Sequence, residues 1–143
     1  MIDETDSKII GMLTENSRMH FLDIAKKLKV SESTIRNRVG KLEKSGVIRK
    51  YSAIVEPAKL GFGCVAIIGI DAIPEKFLQV AKVLSDSENV KSVATSTGDH
   101  MIMIEVWMEN AASLRKFISE NIEKLEGVTR TCPAILMERL KEN

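Results

Sequence analysis

With 143 residues there is room for one ordinary domain or two small ones, and 21 Lys+Arg against 20 Asp+Glu exclude a generic polycation that coats nucleic acid. The charge is unevenly placed: residues 1–56 carry 11 basic and 8 acidic side chains (net +3), 57–143 carry 10 and 12 (net −2), and Arg18 to Lys50 alone hold 10 against 3 (net +7). A local basic surface on a nearly neutral chain fits docking onto a polyanion. The start, Met1 to Asp6, is acidic and polar, and no apolar run approaches the ~18 residues of a membrane span, so a cytoplasmic chain without signal peptide or membrane partner is expected. Cys64 and Cys132 lie far apart, with no CxxC and no His-rich companion. They predict two buried thiols, neither a disulfide nor a metal site.

In chain order, Ile9, Ile10, Met12 and Leu13 recur at helical spacing behind Asp3 as N-cap, with Asp6 three residues on, and predict a first helix to about Asn16. Phe21 to Leu28 is a second, short helix, with Leu22, Ala25 and Leu28 as its stripe and Phe21 and Ile24 flanking it. Lys29-Val30-Ser31 is long enough only for a tight turn. A third helix runs from Glu32 to about Ser45, capped by Ser31, stopped by Gly46 and buried through Ile35, Val39 and Leu42. Val47 to Val55 then reads as a strand closed by Glu56-Pro57. The first domain therefore spans 1–56, a helix-turn-helix with a linker strand.

Residues 57–143 form the second domain. The period gives strand (Val65 to Ala72), helix (Glu75 to Ser85), strand (Val90 to Ser96), a Gly98-Asp99 turn, strand (Met101 to Met108), helix (Ala111 to Leu125), Gly127, and strand (Val128 to Leu140). That order is βαββαβ, a ferredoxin-like α+β arrangement with both helices on one sheet face. Yet the strand Met101 to Met108 is apolar on both faces, apart from Glu105. The uncovered face predicts a homodimer through the same face of a second copy. Trp107 and the methionines are read as ordinary core.

Two short helices joined by a tight turn, the second amphipathic and basic, match the helix-turn-helix, whose second helix enters the major groove of double-stranded DNA. With Ile35, Val39 and Leu42 inward, Ser31 at its start and Ser33, Thr34, Arg36, Asn37, Arg38 and Lys41 are on or near the outer surface. Arginine pairs guanine in a bidentate manner, asparagine pairs adenine, and hydroxyls take bases or phosphates. Lys26 and Lys27, with Lys29, Arg49 and Lys50, are placed for phosphates. Lys29 stands where such turns often use glycine for positive φ.

Ser31, Thr34, Ile35, Arg36, Arg38, Val39, Leu42, Glu43, Gly46-Val47-Ile48, Tyr51, Leu60-Gly61 and Gly98-Asp99 together carry a resemblance, over essentially the whole length, to the Lrp/AsnC family of feast/famine regulators. The resemblance implies a winged helix-turn-helix, a ferredoxin-like effector domain, dimers that assemble to octamers as tetramers of dimers, and modulation by an amino-acid effector or related metabolite. By matching motifs it implies an effector site in which Thr97, Gly98, Asp99 and His100 supply the turn, Thr131 the last strand and Glu120 the helix. Many relatives continue the turn with an aromatic residue and a second aspartate; here His100 and Met101 follow. Gly-Asp between strands is also what a plain β-turn requires.

An enzyme is the weaker alternative. Asp99-His100 resembles an acid-base pair, but adjacent strand residues point to opposite faces, and no nucleophile, metal cluster or phosphate loop accompanies them, so no cofactor is expected. An architectural DNA-organising protein of low sequence specificity, without an effector, is the stronger rival reading.

Overall fold

Side-chain caps start the first and third helices of the N-terminal unit. The computed structural model describes residues 1–142, divided into two units, one of Met1–Ile54 with residues 141–142 and one of Val55–Leu140. In α1 (Glu4–Glu15) the Asp3 carboxylate accepts from the Asp6 amide at 2.8 Å and the Asp6 carboxylate from the Asp3 amide at 3.2 Å, a reciprocal capping box. After α2 (Phe21–Leu28), Lys29 adopts φ 56°, ψ 43°, the left-handed conformation that the short turn demands, at ~1 kcal/mol for a residue with a Cβ. The Ser31 hydroxyl opens α3 (Glu32–Lys44), accepting from the Thr34 amide at 3.2 Å. Ile9, Leu13, Ile24, Ala25, Ile35, Val39 and Leu42 form the core of the unit.

Two sequence expectations are corrected here. The buried stripe of α2 is Ile24 and Ala25, with Phe21 and Leu28 packed beside them, and Leu22 is exposed. Positions 21, 24, 25 and 28 follow the helical i, i+3, i+4, i+7 spacing, which a stripe through Leu22 does not. The linker strand expected over 47–55 does not form. A strand needs a partner ladder, and this segment is held instead by the Ile48 amide donating to the Leu42 carbonyl at 3.1 Å and the Tyr51 hydroxyl donating to Glu43 at 2.8 Å.

Tyr51 yields a direct test of that contact. Burial, and then the Glu43 carboxylate that its hydroxyl bonds, push its pKa up to about 12. A raised folded-state value means that the associated stability is present below the unfolded value of about 10 and is lost as pH rises through the folded one. Tyr51 is the sole tyrosine, so phenolate absorbance reads it alone. The native protein is expected to titrate near 12, and Glu43→Gln to bring the midpoint back towards the ordinary value; an ordinary midpoint in the native wild type would contradict the contact.

In the second unit β1 (Cys64–Ala72) lies between β3 (Ile102–Met108) and β4 (Val128–Ile135), and β2 (Val90–Thr95) flanks β3, giving an antiparallel sheet of order β2-β3-β1-β4. Helices α4 (Phe77–Ser85) and α5 (Ala111–Phe117) cover one face, where Val80, Leu84, Leu114 and Phe117 pack on Ile68, Ile70, Ile102, Ile104 and Val106. This is the ferredoxin-like βαββαβ fold. Three boundaries differ from the expected ones by more than one residue. Pro74–Lys76 forms a 3-10 turn ahead of α4; α5 gives way after Phe117 to a π turn, Ile118–Ile122, closed by the Glu123 amide on the Ile118 carbonyl at 2.9 Å; and β4 ends at Ile135 rather than Leu140. Pro133 sits in β4 without breaking the ladder because β4 is an edge strand. Cys64 is buried as expected, whereas Cys132 is only half-buried because it lies on the sheet face that the helices leave open.

Candidate functional site

Helix α3 presents Ser33, Arg36, Asn37 and Lys41 as exposed side chains outside its buried stripe. Ser31 is engaged locally: its hydroxyl caps the helix and lies 2.9 Å from the Ser33 hydroxyl and 2.7 Å from that of Thr34. The Arg36 guanidinium pairs with Glu32 at 2.7 Å and lies 5.5 Å from the centre of the Phe21 ring, yet its side chain remains 64% exposed. An exposed i, i+4 pair of this kind opens at little cost, so Arg36 is free to swing towards a base edge. Lys26 and Lys27 are exposed on α2 and line one cleft with Arg18 and His20. Sequence reading did not assign Arg18 and His20, which lie outside the helices.

Arg38 stands apart. Its Nη1 lies 2.6 Å from the Asp3 carboxylate and 2.8 Å from that of Asp6, and the side chain is half-buried. The Asp6 amide first, and Arg38 second, hold the Asp3 carboxyl below the ordinary carboxylate range. The sequence places Arg38 with the outward-facing residues of α3; the structure turns it towards α1.

In the second unit the β1–β4 register sets Asp71 opposite Arg130. Arg130 Nε lies 3.0 Å from the Asp71 carboxylate, and its Nη2 is 3.2 Å from Asp99 and 3.3 Å from His100 Nδ1. His100 Nδ1 is itself 3.3 Å from Asp71, whose other oxygen accepts from the Met101 amide at 3.3 Å. Burial pushes the Asp71 carboxyl up, but the Met101 amide, His100 and Arg130 outweigh it and leave it below its usual range. The imidazole lies over Gly69, where a Cβ would come within 2.2 Å of the ring, so glycine is what lets the ring rest on the sheet. The turn is closed by Ser96, whose amide donates to the Met101 carbonyl at 2.9 Å and whose hydroxyl donates to the His100 carbonyl.

The expected effector residues are thus divided. Asp99 and His100 join Asp71 and Arg130 on the open face, with Thr97 and Gly98 exposed in the turn beside them. Thr131 pairs with Ile70, whose side chain faces the helices, and its hydroxyl donates to Glu123 at 3.2 Å, just after the π turn. Glu120 is exposed within that turn. Glu123, not Glu120, is the carboxylate that reaches β4. Sequence reading missed Asp71, Arg130 and Glu123, each of which depends on a strand register or a helix irregularity.

Glu105, a second carboxylate of the open face, has partners. The Trp107 indole N–H donates to it at 2.8 Å and Arg139 at 3.0 Å. Around it Val65, Ile67 and Met103 are half-buried, and the Phe62 and Trp107 rings lie 5.8 Å apart.

Comparison with known proteins places both units. Residues 2–49 match a family model described as winged helix-turn-helix DNA-binding, and residues 65–143 match the Lrp/AsnC ligand binding domain. The chain is 45% identical over 141 residues to the HTH-type transcriptional regulator LrpA of Pyrococcus horikoshii, covering 99% of this chain and 100% of that protein. It is 35% identical over 139 residues to LrpA1 of Halobacterium salinarum, covering 97% and 98%. Among solved structures, E. coli AsnC superposes with a TM-score of 0.87 at 25% identity, covering 100% of this chain and 97% of that one. A Neisseria meningitidis regulator solved as its L-Met complex shares the fold, with a TM-score of 0.90 at 22% identity over 99% and 94% of the two chains.

Proposed function

The chain belongs to the Lrp/AsnC family of DNA-binding transcription regulators, a non-enzymatic family, and from that premise we propose that it reads specific sites through α3, as a homodimer whose DNA affinity an amino acid or related metabolite modulates. Ser33, Thr34, Arg36, Asn37 and Lys41 face the bases or their flanking phosphates, and Lys26 and Lys27 hold the backbone. No helix among the described residues is long and apolar enough to cross a membrane.

The observation that carries the effector reading is the Asp99–Arg130 pair. A carboxylate and a guanidinium 3.2 Å apart, with side chains 82% and 51% exposed, offer one partner for an ammonium group and one for a carboxylate. So exposed a pair exchanges its partners for a zwitterion at little cost. Gly98 leaves the backbone open beside it, since a Cβ built there meets nothing within 4 Å. Thr131 and Glu120 contribute from the helix-facing side of the rim, Thr131 through the hydroxyl that Glu123 now engages.

Thermal-shift screening of the amino acids tests this. A ligand selective for the folded state raises the midpoint by mass action, ~2.7 kcal/mol at one hundred times its Kd. The expected result is a shift with one class of amino acid that is lost in both Asp99→Asn and Thr131→Leu, while DNA affinity without ligand is unchanged. A full shift in either variant would put the ligand elsewhere.

A further inference from the structure

We propose that Arg38 touches neither base nor phosphate, and that it is the positioning residue that fixes how α3 is presented to DNA, by clamping α3 to the first turn of α1. The inference rests on α3 being the recognition helix. At about 100° per residue, Asn37, Gly40 and Ser33 fall opposite the Ile35/Val39/Leu42 stripe, whereas Arg38 falls on its flank. There its guanidinium bridges Asp3 and Asp6 at 2.6 and 2.8 Å. The side chain is 31% exposed, and that of Asp6 only 14%. The two acceptors are themselves fixed, because they form the capping box of α1 with each other's amides. One nitrogen, Nη1, donates to both carboxylates, and two acceptors held by the same capping box constrain the direction of the guanidinium as well as its distance, which a single flexible ion pair does not. The sequence separations, 35 and 32 residues, tie the start of the chain to the middle of the recognition helix.

Asp6 provides a test in which charge and positioning predict opposite signs. Asp6→Asn removes a negative charge from a unit that docks onto a polyanion, so charge alone predicts tighter binding. The replacement keeps a side-chain oxygen for the capping box but loses the ion pair, so the clamp predicts weaker binding. Asp6→Asn, Arg38→Ala and the double variant are compared with wild type in the full chain, on a selected site and on unrelated DNA, at a temperature where circular dichroism shows each folded. The expected result is a specific-to-unrelated affinity ratio lowered about tenfold in both single variants, by interactions that place base contacts rather than make them. The double variant is expected to be no worse, as for two residues of one unit. Arg38→Lys is expected to restore part of the ratio. Mere loss of stability would not move this ratio in folded protein.

Tighter or unchanged binding by Asp6→Asn overturns the clamp. So does relaxed preference at a single base position in Arg38→Ala, or a salt slope reduced by about one, because either makes Arg38 a direct contact. Arg36→Ala serves as the control. If it too leaves affinity and preference at wild-type values, α3 is not the reading helix and the clamp falls with it; if it weakens binding while Asp6→Asn does not, the clamp alone is wrong.

Discussion

Met103→Glu is expected to turn the proposed dimer into a monomer and to weaken binding to a two-half-site DNA by about a hundredfold or more, the loss that follows when two modules no longer bind as one. Met103 pairs with Gly69 on one side and Ala94 on the other, at the centre of the open sheet face. Ala94 leaves it uncovered on one side, while the His100 ring lies over Gly69 on the other. In an antiparallel sheet covered by helices on one side, the second face is ordinarily polar at alternate positions. Here Val65, Ile67, Met103 and Trp107 occupy it, and its carboxylates are already bonded, Glu105 to Trp107 and Arg139, and Asp71 to Arg130 and the Met101 amide. Such a face can be buried without stranding a charge. A glutamate at 103 brings no partner, and burying it against a second copy costs several kcal/mol. Sedimentation of wild type and variant decides, with Trp107 fluorescence as an independent reporter of the same face. A Met103→Glu protein that remains dimeric at micromolar concentration would mean that the subunits meet elsewhere.

What could be read in the sequence, and what could not, divides by the range of the interaction. Helix starts at Asp3 and Ser31 are local hydrogen bonds between residues three apart, and the expected caps are the observed ones. The Lys29 conformation follows from a turn too short to be made otherwise. The alternation of β3 separates Ile102, Ile104, Val106 and Met108 from Met101, Met103, Glu105 and Trp107, but with both sets apolar it does not say which one meets the helices; in the fold it is the first. The strand expected over 47–55 failed for the opposite reason, since alternation supplies a suitable face but not the ladder that makes it a strand. The candidate site depends on longer reach still. That Arg130 meets Asp71 across 59 residues is set by the β1–β4 register, and a shift of one residue would have brought Thr131 to the open face instead. Arg38 shows the same limit on a helix. Its spacing puts it at the margin of the buried stripe, and only the placement of α1 decides whether it turns outwards or, as observed, to Asp3 and Asp6. Nothing local in residues 118–122 announces the π turn that carries the chain to Glu123, the partner of Thr131.

Arg36→Ala is expected to cost about 1–3 kcal/mol of specific binding, the value of one bidentate base contact. Arg36 is the more exposed of the two arginines on α3, and its contacts with Phe21 and Glu32 leave it unburied. Loss of a phosphate contact would lower affinity evenly across sequences, whereas loss of a base contact relaxes one position in each half-site. Selection of binding sites from fragmented genomic DNA by wild type and Arg36→Ala in parallel therefore tests most directly whether α3 reads sequence. The wild type is expected to enrich a two-fold symmetric motif, and the variant the same motif with one symmetric pair of positions relaxed. Enrichment of only A/T-rich or bendable DNA by the wild type, unchanged in the variant, would contradict sequence reading by α3 and leave a protein that organises DNA through its backbone and shape.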